Sequence, residues 1–437
     1  MTVTLRGMAR CALWIGLYVL LVLFPVPWLA LGTGSTRAFP DELGAILGYL
    51  ALSILAVQFV LTARFRLLLP PFGTDVLYAF HRGMALVAIA FLVAHGLLML
   101  PPAELASWLH PLGANWAGAV ALYLLLLLAV ISAGRGLLRL PYAPWRALHG
   151  VLAAAVVCIG LVHAAASAFI AHDPVTRAGL WVWTLAFVLL LAWVRLVKPL
   201  LLLGHPYRVT GVRPEHGGAV TLVLDPENLD GHRFRAGQFA WLTLEGSPFL
   251  ARERPFCYSG SSQRAPRLEL TIKAMGPFTR RVQDVKPGAR AYVDGPFGHT
   301  SIDSFPDADR YFYVAGGIGI APCVSMLRTL ADRGDRRPHT VVYGSADWDS
   351  AAFREDLAEL ASRIDLKVVH VLEKPPLGWL GETGIIGPEL LERHLPRSGR
   401  RACFVCGPDA MMDAAESALA ELGVPVEDIH AEPLRWA

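Results

Sequence analysis

The sequence predicts a multidomain membrane protein. A six-helix transmembrane bundle (1–204) comes first, then a small antiparallel β-barrel (205–303), then a doubly wound α/β domain (304–437). Three observations predict this. Of the 437 residues, 54% are hydrophobic and only 17% charged, with a mean hydropathy of +0.45, and the long apolar runs lie in about the first 200. From 206 to 294 short runs alternate apolar and polar residues between glycines and prolines. From 311 onward strand-like runs alternate with helix-like ones.

Six stretches, 11–31, 43–63, 76–100, 116–138, 147–170 and 178–203, are long enough to cross about 30 Å of hydrocarbon as helices. The first resembles a secretion signal, but its apolar core is long and no small-x-small cleavage site follows, so it reads as a retained span. Six spans put both termini on one side. Arg6, Arg10, Arg64, Arg66, Arg135, Arg139, Arg146, Arg195, Lys198 and Arg208 fall on that side, against Arg37 and Arg177 on the other. Ten basic residues against two assign the soluble half to the cytoplasm. With a net charge of +3 and no basic cluster interleaved with aromatics, nucleic acid is excluded as a partner and membrane lipid is the expected surrounding.

His81 and His95 lie in the third span, His149 and His163 in the fifth. Each pair is 14 residues apart, four turns less about 40°, so each pair shares a helix face. Both spans run in the same direction, so the residues pair by depth: 81 with 149, and 95 with 163. An isolated histidine near a helix end is ordinarily a structural residue bonded to a carbonyl. Two pairs with equal spacing, depth and direction call instead for two facing imidazole pairs, the axial ligation of two b-type haems. His110 and His172 fall in external loops and read as structural.

The barrel strands are expected at 206–212, 219–225, 238–245, 254–259, 267–273 and 290–294. Arg254, Pro255, Phe256, Cys257, Tyr258 and Ser259 lie on one of them. An arginine beside an aromatic can hold a pyrophosphate while the ring packs on a flavin. Gly276, Pro277, Phe278 and Thr279 open a predicted helix at 278–285, where backbone amides suit a phosphate. The α/β strands are expected at 311–315, 340–344, 366–371 and 402–405. Gly316, Gly317, Gly319, Ala321 and Pro322 join the first of these to a helix, a turn through which backbone can approach a pyrophosphate, although it departs from G-x-G-x-x-G. Gly344 and Ser345 end the next strand, and Cys406, Gly407 and Pro408 a later one, at the carboxyl edge where ligands bind. Cys403 and Cys406 have the spacing of a zinc or redox pair, but no second pair accompanies them, and no cysteine lies where a disulfide framework would need it.

In order and spacing these motifs resemble the ferric reductase and NADPH oxidase superfamily, over nearly the whole chain. The resemblance implies a six-helix di-haem domain fused to a ferredoxin–NADP reductase-like module in a bacterial inner (plasma) membrane. Its cofactors would be two haem b, FAD, and NADPH or NADH. The four histidines then stand as haem ligands and Arg254 to Ser259 with Gly276 to Thr279 as the FAD site. The nicotinamide-nucleotide site falls on Gly316 to Pro322, Gly344, Ser345, Gly407 and Pro408. Cys406 and Trp436 would stand at the catalytic centre, Trp436 as the ring stacked over the isoalloxazine. Cys257 replaces the Ser or Thr usual near flavin N5. Asp347, where relatives that bind a 2′-phosphate often carry Arg, tilts the expectation to NADH. No calcium loop precedes the helices. The expected acceptor is oxygen, giving superoxide, with a ferric chelate as alternative, and transfer to a periplasmic or quinone-linked partner as a third reading; no obligatory protein partner is evident.

Overall fold

The structure is a computed structural model that describes residues 5–32, 38–65, 74–99, 116–167, 173–228, 232–250 and 252–431. Arg37, Arg66, His110, His172 and Trp436 lie outside the described residues. The chain divides into two compact units, a helical one (6–70 and 76–199) and one that contains everything from 200 onward.

Among the described residues, the helical unit has six helices long and apolar enough to cross a membrane. The first span is α1 (Leu5–Leu23) and α2 (Pro25–Gly32), divided at Phe24 because Pro25 cannot donate to the preceding turn. α3 (Phe39–Thr62) and α4 (Thr74–Met99) follow, then α5 (Trp116–Ala133) and α6 (Tyr142–Ala166). α7 (Pro174–Ala192) runs through a π-turn at Trp193–Val197 into α8 (Lys198–Gly204). Leu13, Leu86, Val130, Val151 and Leu189 are exposed, as lipid-facing positions should be. Inside, small residues bring the helices close: Ala51 and Ala88 are fully buried beside Ile54, Val157 and Phe187. Hydroxyls tie the helices across these contacts. Ser53 donates to Leu21 O (3.1 Å) and Thr176 to Trp28 O (3.2 Å). Gly179 lies against Trp28, where a Cβ would stand 2.5 Å from the indole.

Several span boundaries differ from expectation; α1 starts six residues early and α6 five. α3 and α7 start four residues early, because Asp41, Glu42 and Arg177 occupy first turns that an apolar count omits. α5 ends at Ala133 instead of 138, because residues 134–139 turn through Gly134, Gly136 and an Arg139 at φ +49°.

In the second unit, β1 (Tyr207–Glu215), β2 (Ala219–Pro226), β3 (Phe239–Leu244), β4 (Arg254–Cys257), β5 (Leu268–Lys273) and β6 (Arg290–Phe297) form an antiparallel sheet in the order β4-β3-β6-β1-β2-β5. A bridge between Tyr258 and Leu270 joins the two edges, so the sheet curls closed. Val209, Leu222, Leu242, Tyr258, Leu270 and Ala291 fill it. α9 (Pro277–Val282), shorter than predicted, follows β5.

The α/β part is β7 (Arg310–Gly316), α10 (Ile320–Arg333), β8 (His339–Ser345), α11 (Arg354–Arg363), β9 (Leu366–Leu372), β10 (Glu382–Thr383), α12 (Pro388–His394), β11 (Arg401–Cys406), α13 (Asp409–Glu421) and β12 (Ile429–Ala431). All pairings are parallel, in the order β10-β9-β8-β7-β11-β12. β7 shows the two-residue period: Tyr311, Tyr313 and Ala315 face α10 and α11, while Phe312 and Val314 face α12 and α13. The edge strands β10 and β12 were not predicted from sequence, since two or three residues show no alternation.

His339 opens β8 fully buried, its ring stacked on Tyr311 at 5.7 Å. Burial holds its pKa down at about 4 against an ordinary 6.5, outweighing the opposing pull of Asp335. The unfolded chain therefore binds the extra proton first, and stability present above pH 6.5 is lost as pH falls toward 4. Unfolding midpoints followed by tryptophan fluorescence between pH 7 and 5 should fall, and His339→Phe should recover on the order of 2 kcal/mol of that loss.

Candidate functional site

In the helical unit α4 presents His81 and His95, and α6 presents His149 and His163. His81 faces His149 and His95 faces His163, each pair with ring centroids 6.2 Å apart. His81 Nδ1 lies 2.7 Å from Gln58 Oε1, and His95 Nδ1 lies 2.8 Å from Gly44 O. Both oxygens only accept, so both Nδ1 atoms carry the hydrogen, which leaves each Nε2 as a lone pair. His149 Nδ1 lies 3.2 Å from the Ser132 hydroxyl. Glycines give the 95/163 pair its space: a Cβ on Gly48 would press on the His95 ring at 2.8 Å, and one on Gly118 on the His163 ring at 2.9 Å.

This donor set fits haem. Two imidazoles bound to one metal through bonds of about 2 Å stand with centroids about 6 Å apart, as both pairs do. A bare metal ion needs more ligands than two, and among the described residues no group of three or more His, Cys, Asp or Glu gathers to supply them. A macrocycle that brings four nitrogens of its own completes the set.

In the barrel, alternation along β4 buries Pro255 and leaves Arg254 and Phe256 partly exposed. The Phe256 ring stacks on Phe278 of α9 at 6.2 Å and 14°, and the Arg254 guanidinium lies 5.9 Å from that same Phe278 ring. Thr279 Oγ1 accepts from the Met275 and Gly276 amides (2.9 and 2.8 Å), which sets the turn into α9 after Pro277. A cation, two stacked rings and a helix start thus share one ledge, which suits a flavin and its pyrophosphate. Cys257 ends β4 partly exposed, as a thiol outside any disulfide. Tyr258 and Ser259 turn inward. Tyr258 is fully buried, stacked on Phe234 at 4.0 Å, with its hydroxyl 2.7 Å from His232 Nε2. Ser259 accepts from the Thr271 hydroxyl at 2.7 Å.

The nucleotide crevice lies where strand order reverses, between β7 and β11. Gly316 and Gly319 meet Cys406, Gly407 and Pro408 there. A Cβ on Gly316 would stand 2.9 Å from Pro408, and one on Gly319 would overlap the Cys406 carbonyl oxygen. Gly317 holds φ +53° and is partly exposed, so its backbone is open to a ligand. Ala321 and Pro322 are buried in the first turn of α10 and face the core. Gly344 pairs with Gly316 across β7 and β8, with Ser345 buried beyond it. Asp347 Oδ1 accepts from the Ser350 amide at 2.8 Å in the turn that follows. Cys403 is fully buried, burial pushing its thiol up to about 12, while Cys406 is partly exposed. Three residues apart on a strand, they point to opposite faces and form no pair.

One feature has no local sequence signal. α10 starts at the glycine turn and lays Ser325, Arg328 and Thr329 on the segment just after β4. Ser325 donates to Gly260 O (2.7 Å), Thr329 accepts from the Ser262 amide (2.9 Å), and Arg328 donates to Ser259 O and Glu269 (both 3.0 Å) and to Asp356. One helix joins the flavin ledge to the nucleotide turn.

Gly319→Ala should force the two turns apart. Coenzyme affinity, read from fluorescence quenching on titration with NADH and NADPH, should weaken at least about tenfold, the equivalent of about 1.4 kcal/mol; unchanged affinity would contradict this packing.

Two protein families match the chain. "Ferric reductase like transmembrane component" covers residues 47–160, and "Oxidoreductase NAD-binding domain" covers 313–417. Among curated relatives, the probable dihydroorotate dehydrogenase B (NAD(+)) electron transfer subunit of Methanopyrus kandleri is 31% identical over 231 residues, 53% of this chain and 78% of that one. The glycine betaine monooxygenase reductase subunit of Pseudomonas aeruginosa is 31% identical over 207 residues, 46% of this chain, and the match spans 56% of that relative. The reductase component of propane 2-monooxygenase from Rhodococcus jostii is 28% identical over 231 residues, 51% of this chain and 61% of that one.

Proposed function

The chain belongs to the ferric reductase and NADPH oxidase superfamily of membrane oxidoreductases, and we propose that it passes electrons from cytoplasmic NADH through FAD and two b haems to oxygen outside, giving superoxide. The observation that carries this is the pair of imidazole pairs at one centroid distance, 6.2 Å, on the same two helices. Relatives named as reductase and electron transfer subunits support the flavin and nicotinamide part. The ten basic residues on the side of the termini support a cytoplasmic soluble unit.

When bound, FAD would split a hydride into single electrons and the haems would carry them singly. The residues have definite tasks around these groups. Arg254 would hold the pyrophosphate, with the amides at the start of α9 beside it, and Phe256 and Phe278 would give an apolar wall. Gly316 to Gly319 let nucleotide phosphates approach the start of α10. Arg328 keeps that helix in register with β4. Each histidine pair would hold its haem from both sides and leave no metal position for a ligand, so an acceptor would have to be reduced at the haem edge. The loops opposite the termini, 32–42, 101–115 and 171–177, are short, which favours a small acceptor.

Reduced protein should show b-type bands for two haems per chain. His95→Leu should leave one haem, keep flavin reduction by NADH, and abolish reduction of the external acceptor. Acceptor choice is read from cytochrome c reduction: inhibition by superoxide dismutase supports oxygen, whereas an insensitive rate with ferric chelate consumed makes the protein a ferric reductase. Loss of flavin reduction in His95→Leu would count against a serial path.

Asp347 supports NADH, since a carboxylate after β8 repels a 2′-phosphate. kcat/KM should favour NADH over NADPH, and Asp347→Ser should shrink that preference by roughly tenfold, about 1.4 kcal/mol.

A further inference from the structure

The helices that carry the histidines each have a support helix with the same spacing. Along α3, Gly44 and Gln58 are 14 residues apart and meet His95 and His81. Along α5, Gly118 and Ser132 are also 14 apart and meet His163 and His149. The support is therefore a repeated pattern, but its chemistry differs between the two levels. At the 95/163 level it is glycine: a backbone carbonyl at Gly44 and cleared space at Gly48 and Gly118. At the 81/149 level it is a polar side chain on each side. Gln58 is 6% exposed in the middle of an apolar packing layer, and burying an amide there is costly unless it has a task.

We infer that Gln58 and Ser132 are positioning residues of the 81/149 site, and that they set its reduction potential separately from that of the 95/163 site. This rests on the reading that the pairs hold haem. Gln58 Oε1 accepts the His81 Nδ1 hydrogen at 2.7 Å, which fixes the tautomer and aims Nε2 at the space shared with His149. The bond also draws the hydrogen away from the ring and makes the imidazole a stronger donor. A stronger donor stabilises the oxidised metal and lowers the potential. Ser132, at 3.2 Å from His149 Nδ1, does the same more weakly. At the other level the carbonyl of Gly44 does this work, and no side-chain substitution removes it. The side-chain support makes one site of the two adjustable.

The test is a spectroelectrochemical titration of the purified full-length protein, with haem and flavin content measured on each sample. Gln58→Leu, similar in size without an acceptor, should move one of the two haem midpoints to more positive potential and leave the other in place. Gln58→Glu, which keeps an acceptor, should hold that midpoint at or below its original value. Ser132→Ala should move the same midpoint in the positive direction by less. If Gln58→Leu loses one haem per chain while Gln58→Glu keeps both, that also supports the assignment. Midpoints that stay put in Gln58→Leu, or two midpoints that move together, would overturn it. Failure of the underlying reading looks different: the unaltered protein would show no b-type bands at all.

Discussion

A neutral imidazole has one hydrogen and one lone pair, and inside an apolar bundle neither can be left to water. Four such rings in the helical unit impose most of its architecture. Each Nδ1 hydrogen needs an acceptor from a neighbouring helix, so α3 must lie along α4. The same demand places α5 along α6, where Ser132 reaches His149. Two rings on one helix face must be separated by nearly whole turns, and their supports must repeat at the same interval on the neighbour. The spacing of 14 recurs on α3, α4, α5 and α6, with Gln58, Gly44 and Ser132 within hydrogen-bond distance of His81, His95 and His149, and Gly118 packed closely against His163. Small residues follow from it as well, because rings of this size fit between helices only where Gly48 and Gly118 leave space for them.

The second unit meets a different constraint. Hydride transfer demands that a flavin and a nicotinamide held by separate folds be kept in register. The chain solves this with one element. α10 begins in the turn that faces the nucleotide crevice, and two turns later its side chains bind the segment just after the flavin ledge. Ser325 and Thr329 use neutral hydrogen bonds, and Arg328 adds a charged one to Glu269 and Asp356. A half-buried arginine that lost these partners would be destabilising, so the same contacts that align the two sites also make the arrangement hard to relax.

Much of this is written in local sequence. The histidine spacing, the six barrel strands and the glycine turn after β7 depend on residues close together in the chain, and period and punctuation reveal them. Gln58, Ser132 and Arg328 do not show up in this way. A glutamine in an apolar span or an arginine on an amphipathic helix acquires its role from a partner 23 or 59 residues away, fixed only once the helices and strands have neighbours. The inward turn of Tyr258 and Ser259 escapes a local pattern for a related reason. Their strand ends at Cys257, and the bridge to Leu270 that closes the barrel draws the next residues into its core. Ala321 and Pro322 belong to a motif whose exposed part is only Gly317 and Ile318; helix geometry buries the rest.

On the proposed reading, closed coordination at both levels separates two properties that are often joined. The bundle determines whether electrons cross, through the spacing of the rings and the donors behind them. It does not bind the acceptor, since the imidazoles leave no metal position free. The acceptor must then be reduced by transfer from an edge, a process that depends on potential and approach more than on shape. A small diffusible molecule such as oxygen satisfies this with no dedicated pocket. The same architecture can serve ferric chelates with little change, because function resides in the site and its surroundings rather than in the fold. Tuning of potential by Gln58 and Ser132 therefore belongs to the part of the machinery that governs flow, while discrimination between acceptors falls to the short segments that join the spans.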